Sequence, residues 1–522
     1  MMDILRGIEQ SSVTTKLVIA VVVLFLVYDW WCHQYFQRRG IRVGSYLPVI
    51  GSLHQIRKGF GCRFPEYTTK YGRVFGWYMF RKTMLVVTDA DIIKQIVVKN
   101  FSSFTNRKAS SPEPGIFNKH LINLQDEEWK EVRSVVTPAF SAVKMRTMSF
   151  MINECCDTML NNIDMAAVKE GSNINCKDLY GGLTMDTVAW CCFGLKIDSQ
   201  LTKEHEFVVN AKKAFKSSES VIHQVVLDMF PMLRPVLTYF NAGAITNDVA
   251  NFFETVTSES CKLREEQGDD LDTSKNIDML QLMLNAHNEA PEPADDLNGN
   301  VNGNGLHNMK RKRALTNTEV TAQAILFFLA GYETTSSLLG FASYLLALNP
   351  DVQDKLYAEI QDKAPSRDVI GYDVVNKMTY LDMVICESLR VYPPIGRFAR
   401  ICNKTFSYNG LTIEKGVTVF MNVWGIHRDE QYWPEPDKFD PERFSPERKP
   451  LIQACTYVPF GFGPRNCIGM RFALLEAKMA LVRVLQKYRL DVCPETKIPL
   501  NLNPTPFSAP KDGIKLRAIA RK

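Results

Sequence analysis

The sequence predicts a mainly helical protein held at a membrane by its amino-terminal helix, and three observations carry that reading. Residues 17–28, LVIAVVVLFLVY, form an apolar run without a charge. Most of the chain after it reads as amphipathic helices separated by turns marked with Pro and Gly, with no second apolar span and no internal repeat. Further on, Thr316-Asn317-Thr318-Glu319 has capping-box spacing and opens a helical pattern that runs unbroken to Asn349-Pro350.

Composition sets the outer limits. At 522 residues the chain can form one large domain or two smaller ones. Hydrophobic residues at 46% and charged residues at 23% exclude a mainly disordered chain. The net charge of +5 is too small over this length to make nucleic acid a partner. Thirteen cysteines, an odd number that includes the adjacent pairs Cys155-Cys156 and Cys191-Cys192, predict mostly reduced thiols.

Twelve helical residues span only about 18 Å, short of the roughly 30 Å hydrocarbon core. The predicted span therefore extends from Val13 to Cys32, with Lys16 snorkelling toward the headgroups. The following DWWCHQYFQ offers no small-x-small cleavage site, which favours a retained anchor over a signal peptide. Arg38, Arg39 and Arg42 after the run, against Arg6 and Lys16 before it, put the carboxyl-terminal bulk on the cytosolic side. The sequence thus divides into an anchor (residues 1–36), a hinge (37–52) and a main globular domain (53–522). Residues 286–313 begin acidic, pass through an Asn/Gly tract and end basic, and are expected to be a disordered surface loop. Residues 229–237 are apolar but too short to span a bilayer, so core packing and shallow membrane contact both stay open.

The long helix is about 48 Å at 1.5 Å per residue. It is apolar around most of its circumference except at Glu333, Thr334, Thr335, Ser336 and Ser337, which predicts a buried helix with a polar notch. Nearer the carboxyl terminus, Pro459-Phe460-Gly461-Phe462-Gly463-Pro464-Arg465-Asn466-Cys467-Ile468-Gly469 puts one cysteine in a glycine-rich loop that opens a helix. Glycines permit close approach to a flat ligand, and the helix N-terminus favours a thiolate. Arg465 is placed for charge-assisted hydrogen bonds to a carboxylate, although a structural ion pair is its ordinary role. Glu387 and Arg390 form the chain's only E-x-x-R. Three apart on a helix, they ordinarily make a surface ion pair; the preceding Thr379-Tyr380-Leu381-Asp382 again has capping-box spacing.

Phe460, Gly463, Arg465, Cys467 and Gly469 spell F-x-x-G-x-R-x-C-x-G, which resembles the haem-binding signature of the cytochrome P-450 superfamily. The resemblance implies a large helical domain with a smaller β-rich part, the haem lying between the long helix and the Cys467 loop. It implies haem b as cofactor with Cys467 as its axial thiolate, whose electron donation favours O–O cleavage. Ala330-Gly331-Tyr332-Glu333-Thr334-Thr335 looks like the family's oxygen-binding motif, with Gly331 leaving room and Glu333 and Thr334 relaying protons toward dioxygen. Trp129 and Arg133 match W-x-x-x-R, so that Trp129, Arg133, Arg400 and Arg465 would hold the propionates. Glu387 and Arg390, with Arg443 of Pro441-Glu442-Arg443-Phe444, become a structural triad.

From about Tyr71 onward the chain is similar to the third family, whose A subfamily oxidises lipophilic drugs and steroids and which has thromboxane synthase as a neighbour. The resemblance implies a monooxygenase on the endoplasmic reticulum membrane. It would act on lipophilic small molecules and take electrons from NADPH through a flavoprotein reductase, with cytochrome b5 as a second partner. Lys130, Lys478 and Arg483 are candidates for the basic docking face. A haem-thiolate isomerase or dehydratase of a substrate peroxide and a noncatalytic haem sensor are the alternatives, and retention of Glu333 with Thr334 favours oxygen activation. The segments that would select a substrate depart from the family between Arg107 and Leu124, from Pro394 to Ala399, and at Pro504-Thr505-Pro506-Phe507.

Overall fold

Ser12 caps the first helix, its hydroxyl accepting the Thr15 amide at 3.2 Å, and helix α1 runs over Val13–His33. Its apolar side chains are exposed along most of its length. The computed structural model describes residues 12–58, 64–107, 115–169, 173–201, 206–218, 247–267, 279–288, 315–366, 369–503 and 507–521. Residues 229–237 and 504–506 and the stretch 289–313 lie outside them. Ala286, His287 and Asn288, read from sequence as the start of the loop, instead close the helix Met279–Asn288.

Among the described elements the helices that build the site are α2 (Asp126–Val136), α3 (Ala142–Lys169), α4 (Cys176–Phe193), α5 (Asn317–Leu348), α6 (Thr379–Val391) and α7 (Met470–Lys487). The β-rich part is a four-stranded sheet of β1 (Val74–Met79), β2 (Lys82–Val87), β3 (Arg397–Ile401) and β4 (Thr418–Asn422), ordered β1-β2-β4-β3. Here β2 and β4 run parallel, Met84 facing Thr418, so most of the helical part lies in the crossover between them. A three-stranded sheet of residues 173–175, 488–492 and 515–520 ties the chain end to the start of α4.

Helix α5 begins where the capping box puts it. Thr316 accepts the Glu319 amide at 3.2 Å, and Glu319 accepts the Thr316 amide at 2.9 Å. Several of its interior polar groups are partnered, as burial demands. Gln323 bridges the Leu121 amide and the Lys119 carbonyl, Ser343 meets Tyr180 at 2.7 Å, and the Tyr332 carbonyl accepts from Thr184 at 3.0 Å. The second expected capping box does not form: the cap of α6 is Met378, with no side-chain bond. Glu359, from another helix, accepts the Tyr380 and Leu381 amides, each at 2.8 Å, and so satisfies the orphan donors from outside. Asp382 is left to pair with Lys478 at 2.9 Å and Lys449 at 3.0 Å.

Candidate haem-thiolate site

The Cys467 loop is a tight turn whose shape its glycines set. Gly463 has φ +78°, and a Cβ on it would sit 2.0 Å from the Val97 carbonyl oxygen, so only glycine lets this backbone lie against the neighbouring turn. The Cys467 amide donates to the Phe460 carbonyl at 2.9 Å, closing the loop, and α7 follows directly with Gly469 as its cap. Cys467 is the one exposed cysteine among the described residues, all of which are free thiols. Its thiol is nevertheless pushed up by burial, so its open surface faces the interior of the fold rather than bulk water. The Gly469 N–H and the charges of Arg107 and Arg133 pull in the opposite direction. The helix start therefore does not by itself make the thiolate that the sequence suggested. A metal ion at the sulfur would supply the missing charge.

Three guanidiniums from separate elements converge on the loop carbonyls. Arg107 donates to the Arg465 carbonyl at 3.1 Å and Arg400, on β3, to the same oxygen at 3.4 Å. Arg133, on α2, grips Asn466 through its carbonyl at 2.9 Å and its side chain at 3.1 Å. Arg465 itself turns away to the carbonyls of Thr105 and Leu124, its guanidinium 4.7 Å from the ring of Trp129, which is buried. Burial, with repulsion from Arg107 and Arg133, pushes Arg465 down to about 9. Burial likewise pushes Arg400 well below its usual range, with Arg107 and Arg465 adding to it. Buried Nε atoms of Arg107 and Arg400 have no hydrogen-bond partner. Buried cations in like-charged company need an anionic ligand. A flat macrocycle bearing two carboxylates beside an interior-facing thiol fits this donor set.

The middle of α5 has the complementary character. Ala330 is exposed and Gly331 and Thr334 are half-buried within an otherwise buried helix, so the helix opens there onto interior space. Phe140 links this stretch to the cysteine loop: its ring is 3.7 Å from where a Cβ on Gly469 would lie and 5.2 Å, edge-on, from the Phe327 ring of α5. The Thr334 hydroxyl donates to the Ala330 carbonyl at 2.7 Å. Glu333 is buried on another side of the helix, its carboxylate 3.7 Å from Lys177, whose side chain is half exposed. A Cβ on Gly331 would meet Val188 of α4 at 2.8 Å, so this glycine also serves close helix packing.

Glu387 and Arg390 are completely buried and make a bidentate pair, with both oxygens at 2.7 Å. Arg443 approaches Glu387 at 3.4 Å, and the Asp440 amide donates to it at 3.0 Å. This is a structural triad rather than a surface pair. Lys478 and Arg483, expected on a docking face, are buried and committed to Asp382 and Asp157. Lys130 alone of the three is exposed, 2.5 Å from Glu127. Arg107 was missed by sequence reasoning because it follows an aperiodic stretch, FTN, and has no local partner to mark it.

His427 supports the start of the loop. Its Nε2 accepts the Val458 amide at 2.9 Å, and burial, with Arg390 and Arg428 nearby, pushes the ring down to about 3. The folded state therefore holds a neutral ring while the unfolded chain takes a proton below its ordinary value of 6.5. Stability is present above that value and is lost as pH falls toward 3. The expected loss is about 2 kcal/mol between pH 6.5 and pH 5. Denaturant titrations should show this loss in the wild type and its absence in His427→Gln, and equal pH slopes in the two would contradict it.

A family model described as Cytochrome P450 matches residues 42–518. Cytochrome P450 3A13 of Mus musculus is 37% identical over 512 residues, covering 98% of this chain and 97% of that protein. Cytochrome P450 3A9 of Rattus norvegicus is 38% identical over 507 residues, covering 97% and 96%.

Proposed function

The chain belongs to the cytochrome P450 family, and from that premise we propose that Cys467 is its axial thiolate and that the four guanidiniums form its propionate cradle. The family's cofactor is haem b with a cysteine thiolate, which when bound activates dioxygen so that one oxygen atom enters a lipophilic small molecule. The protein is accordingly a haem-thiolate monooxygenase. The observation that carries the site assignment is the set of buried, mutually repelling guanidiniums around the one cysteine whose thiol opens inward.

In this reading the Gly469 N–H donates to the Cys467 sulfur, and the Phe460 carbonyl holds the loop by accepting the Cys467 amide. Arg107, Arg133, Arg400 and Arg465 bind carboxylates, with Trp129 backing Arg465. Thr334 Oγ1 holds a proton inside the opening of α5. Glu333 connects that helix through Lys177 to solvent, which makes the pair an entry for protons. Val13–His33 anchors the chain in the endoplasmic reticulum membrane with the catalytic part cytosolic; its exposed apolar surface supports this. Electrons come from NADPH through a flavoprotein reductase, with cytochrome b5 as a second donor, and the substrates are xenobiotic, steroid or fatty-acid-like.

The test is a membrane preparation reconstituted with reductase under heavy-oxygen dioxygen. The wild type is expected to place one labelled atom in the product. Thr334→Ala, with equal haem content, is expected to yield about tenfold less product per reductant, the difference appearing as hydrogen peroxide or water. Its helix loses one hydroxyl and gains a better helix former, so folding is unaffected. Unlabelled product formed without reductase would instead identify an isomerase or dehydratase, and unchanged coupling in the variant would remove Thr334 from the relay.

A further inference from the structure

The last turn of α1 does not behave as a tether. Asp29, His33 and Phe36 are 2%, 0% and 1% exposed, although most of the helix before them is open. The division after residue 36 expected from sequence therefore falls within packed structure. The Phe36 ring fills the space that a side chain at Gly76 of β1 would need, 2.3 Å from the position of a Cβ there.

Two non-glycine residues with positive φ are held by this turn. Val49, at φ +68°, is β-branched and avoids that region; its amide donates to the Asp29 carboxylate at 2.9 Å. Phe80, at φ +53°, forms the β1–β2 turn, and its carbonyl lies 3.1 Å from His33 Nε2. The other ring nitrogen of His33 faces the Asp29 carbonyl at 2.7 Å and carboxylate at 3.2 Å. Gly51 fits between the two turns, where a Cβ would lie 2.7 Å from the carbonyl oxygens of both Phe80 and Tyr78. The Tyr78 hydroxyl closes the knot by donating to the His33 carbonyl at 2.7 Å.

From this knot the β1–β2 turn reaches back along the anchor. The Arg81 guanidinium lies 5.2 Å from the Phe25 ring and 5.5 Å from the Tyr28 ring, with no acid paired to it among the described residues. Phe25 lies about 12 Å along the helix from His33, inside the apolar run. An exposed guanidinium at that level, stacked on aromatic rings, meets the boundary where lipid phosphates lie.

We infer that the end of the anchor and the β1–β2 turn form one rigid latch that holds Arg81 in the headgroup layer, on a lipid phosphate. This rests on the reading of Val13–His33 as a membrane anchor. The test is amide hydrogen exchange on the full-length holoenzyme in phosphatidylcholine vesicles, with flotation measured on the same samples. Asp29→Ala is expected to speed exchange at residues 49–52 by about tenfold. Asp29→Ala with Val49→Gly is expected to restore it at residues 50–52, whose amides keep their own carbonyl acceptors, because glycine takes the positive φ without being held. Arg81→Gln is expected to lose the vesicle-dependent protection of residues 80–82 and to match the wild type in a phosphate-free nonionic detergent. Wild-type exchange at residues 49–52 in Asp29→Ala would overturn the latch. Equal protection of residues 80–82 in vesicles and detergent would overturn the headgroup contact. Failure of the wild type to float would instead overturn the anchor reading itself.

Discussion

Glu387→Ala is expected to cost about 3–5 kcal/mol, because it removes one partner of a fully buried charge pair and leaves the other without compensation. Arg390 would keep its bonds to the His427 carbonyl at 2.9 Å and the Lys438 carbonyl at 3.2 Å, neither of which carries a charge. Arg443 would lose its carboxylate at the same time, and the Asp440 amide its acceptor. Set against a typical domain stability of about 5–15 kcal/mol, that loss consumes much of the margin. The damage reaches the haem site through His427, whose carbonyl binds Arg390 and whose ring holds Val458 at the start of the cysteine loop. The expected result is a variant that accumulates poorly and with little haem, read by thermal unfolding and by haem-to-protein ratio. A variant within about 1 kcal/mol of the wild type, with full haem content, would show that the triad is not what supports this side of the fold.

How far these elements could be read from sequence depended on whether their causes were local. The first helix needed only its own apolar run, and its carboxyl end was predicted to within a residue, Cys32 against His33. Helix α5 needed only its capping box and its apolar circumference, and both of its ends were legible. The start of α6 was misread because the groups that satisfy its amides belong to Glu359, on a helix some twenty residues earlier. Lys478 and Arg483 look like surface charges in a sequence, but α7 is buried on nearly every side and both find acids across helix contacts. The cysteine loop was legible because its motif is contiguous, whereas the proposed propionate cradle draws on residues 107, 133, 400 and 465. No spacing rule joins these, and a family resemblance was needed to bring three of them together. Arg107 emerged only from the convergence of side chains on the Arg465 carbonyl. Asp29 was invisible for the same reason: an acid at the end of an apolar run gives no hint that it holds a turn twenty residues on.

The most direct test of the whole account is the spectrum of the reduced, carbon-monoxide-bound protein in the wild type and in Cys467→Ala. Among the described cysteines every other one is buried or half-buried, and none of them sits in a glycine loop at a helix start beside the guanidinium cluster. Among the described cysteines, no second thiol can take over without rebuilding the fold. The arginine cradle is untouched by the substitution, so the variant is expected to retain weak haem binding while losing the sulfur ligand. The wild type is predicted to show the strongly red-shifted Soret band of a thiolate complex, and Cys467→Ala to lack it at any level of haem that it retains. A variant that keeps the red-shifted band would remove Cys467 from its role and with it the site proposed here.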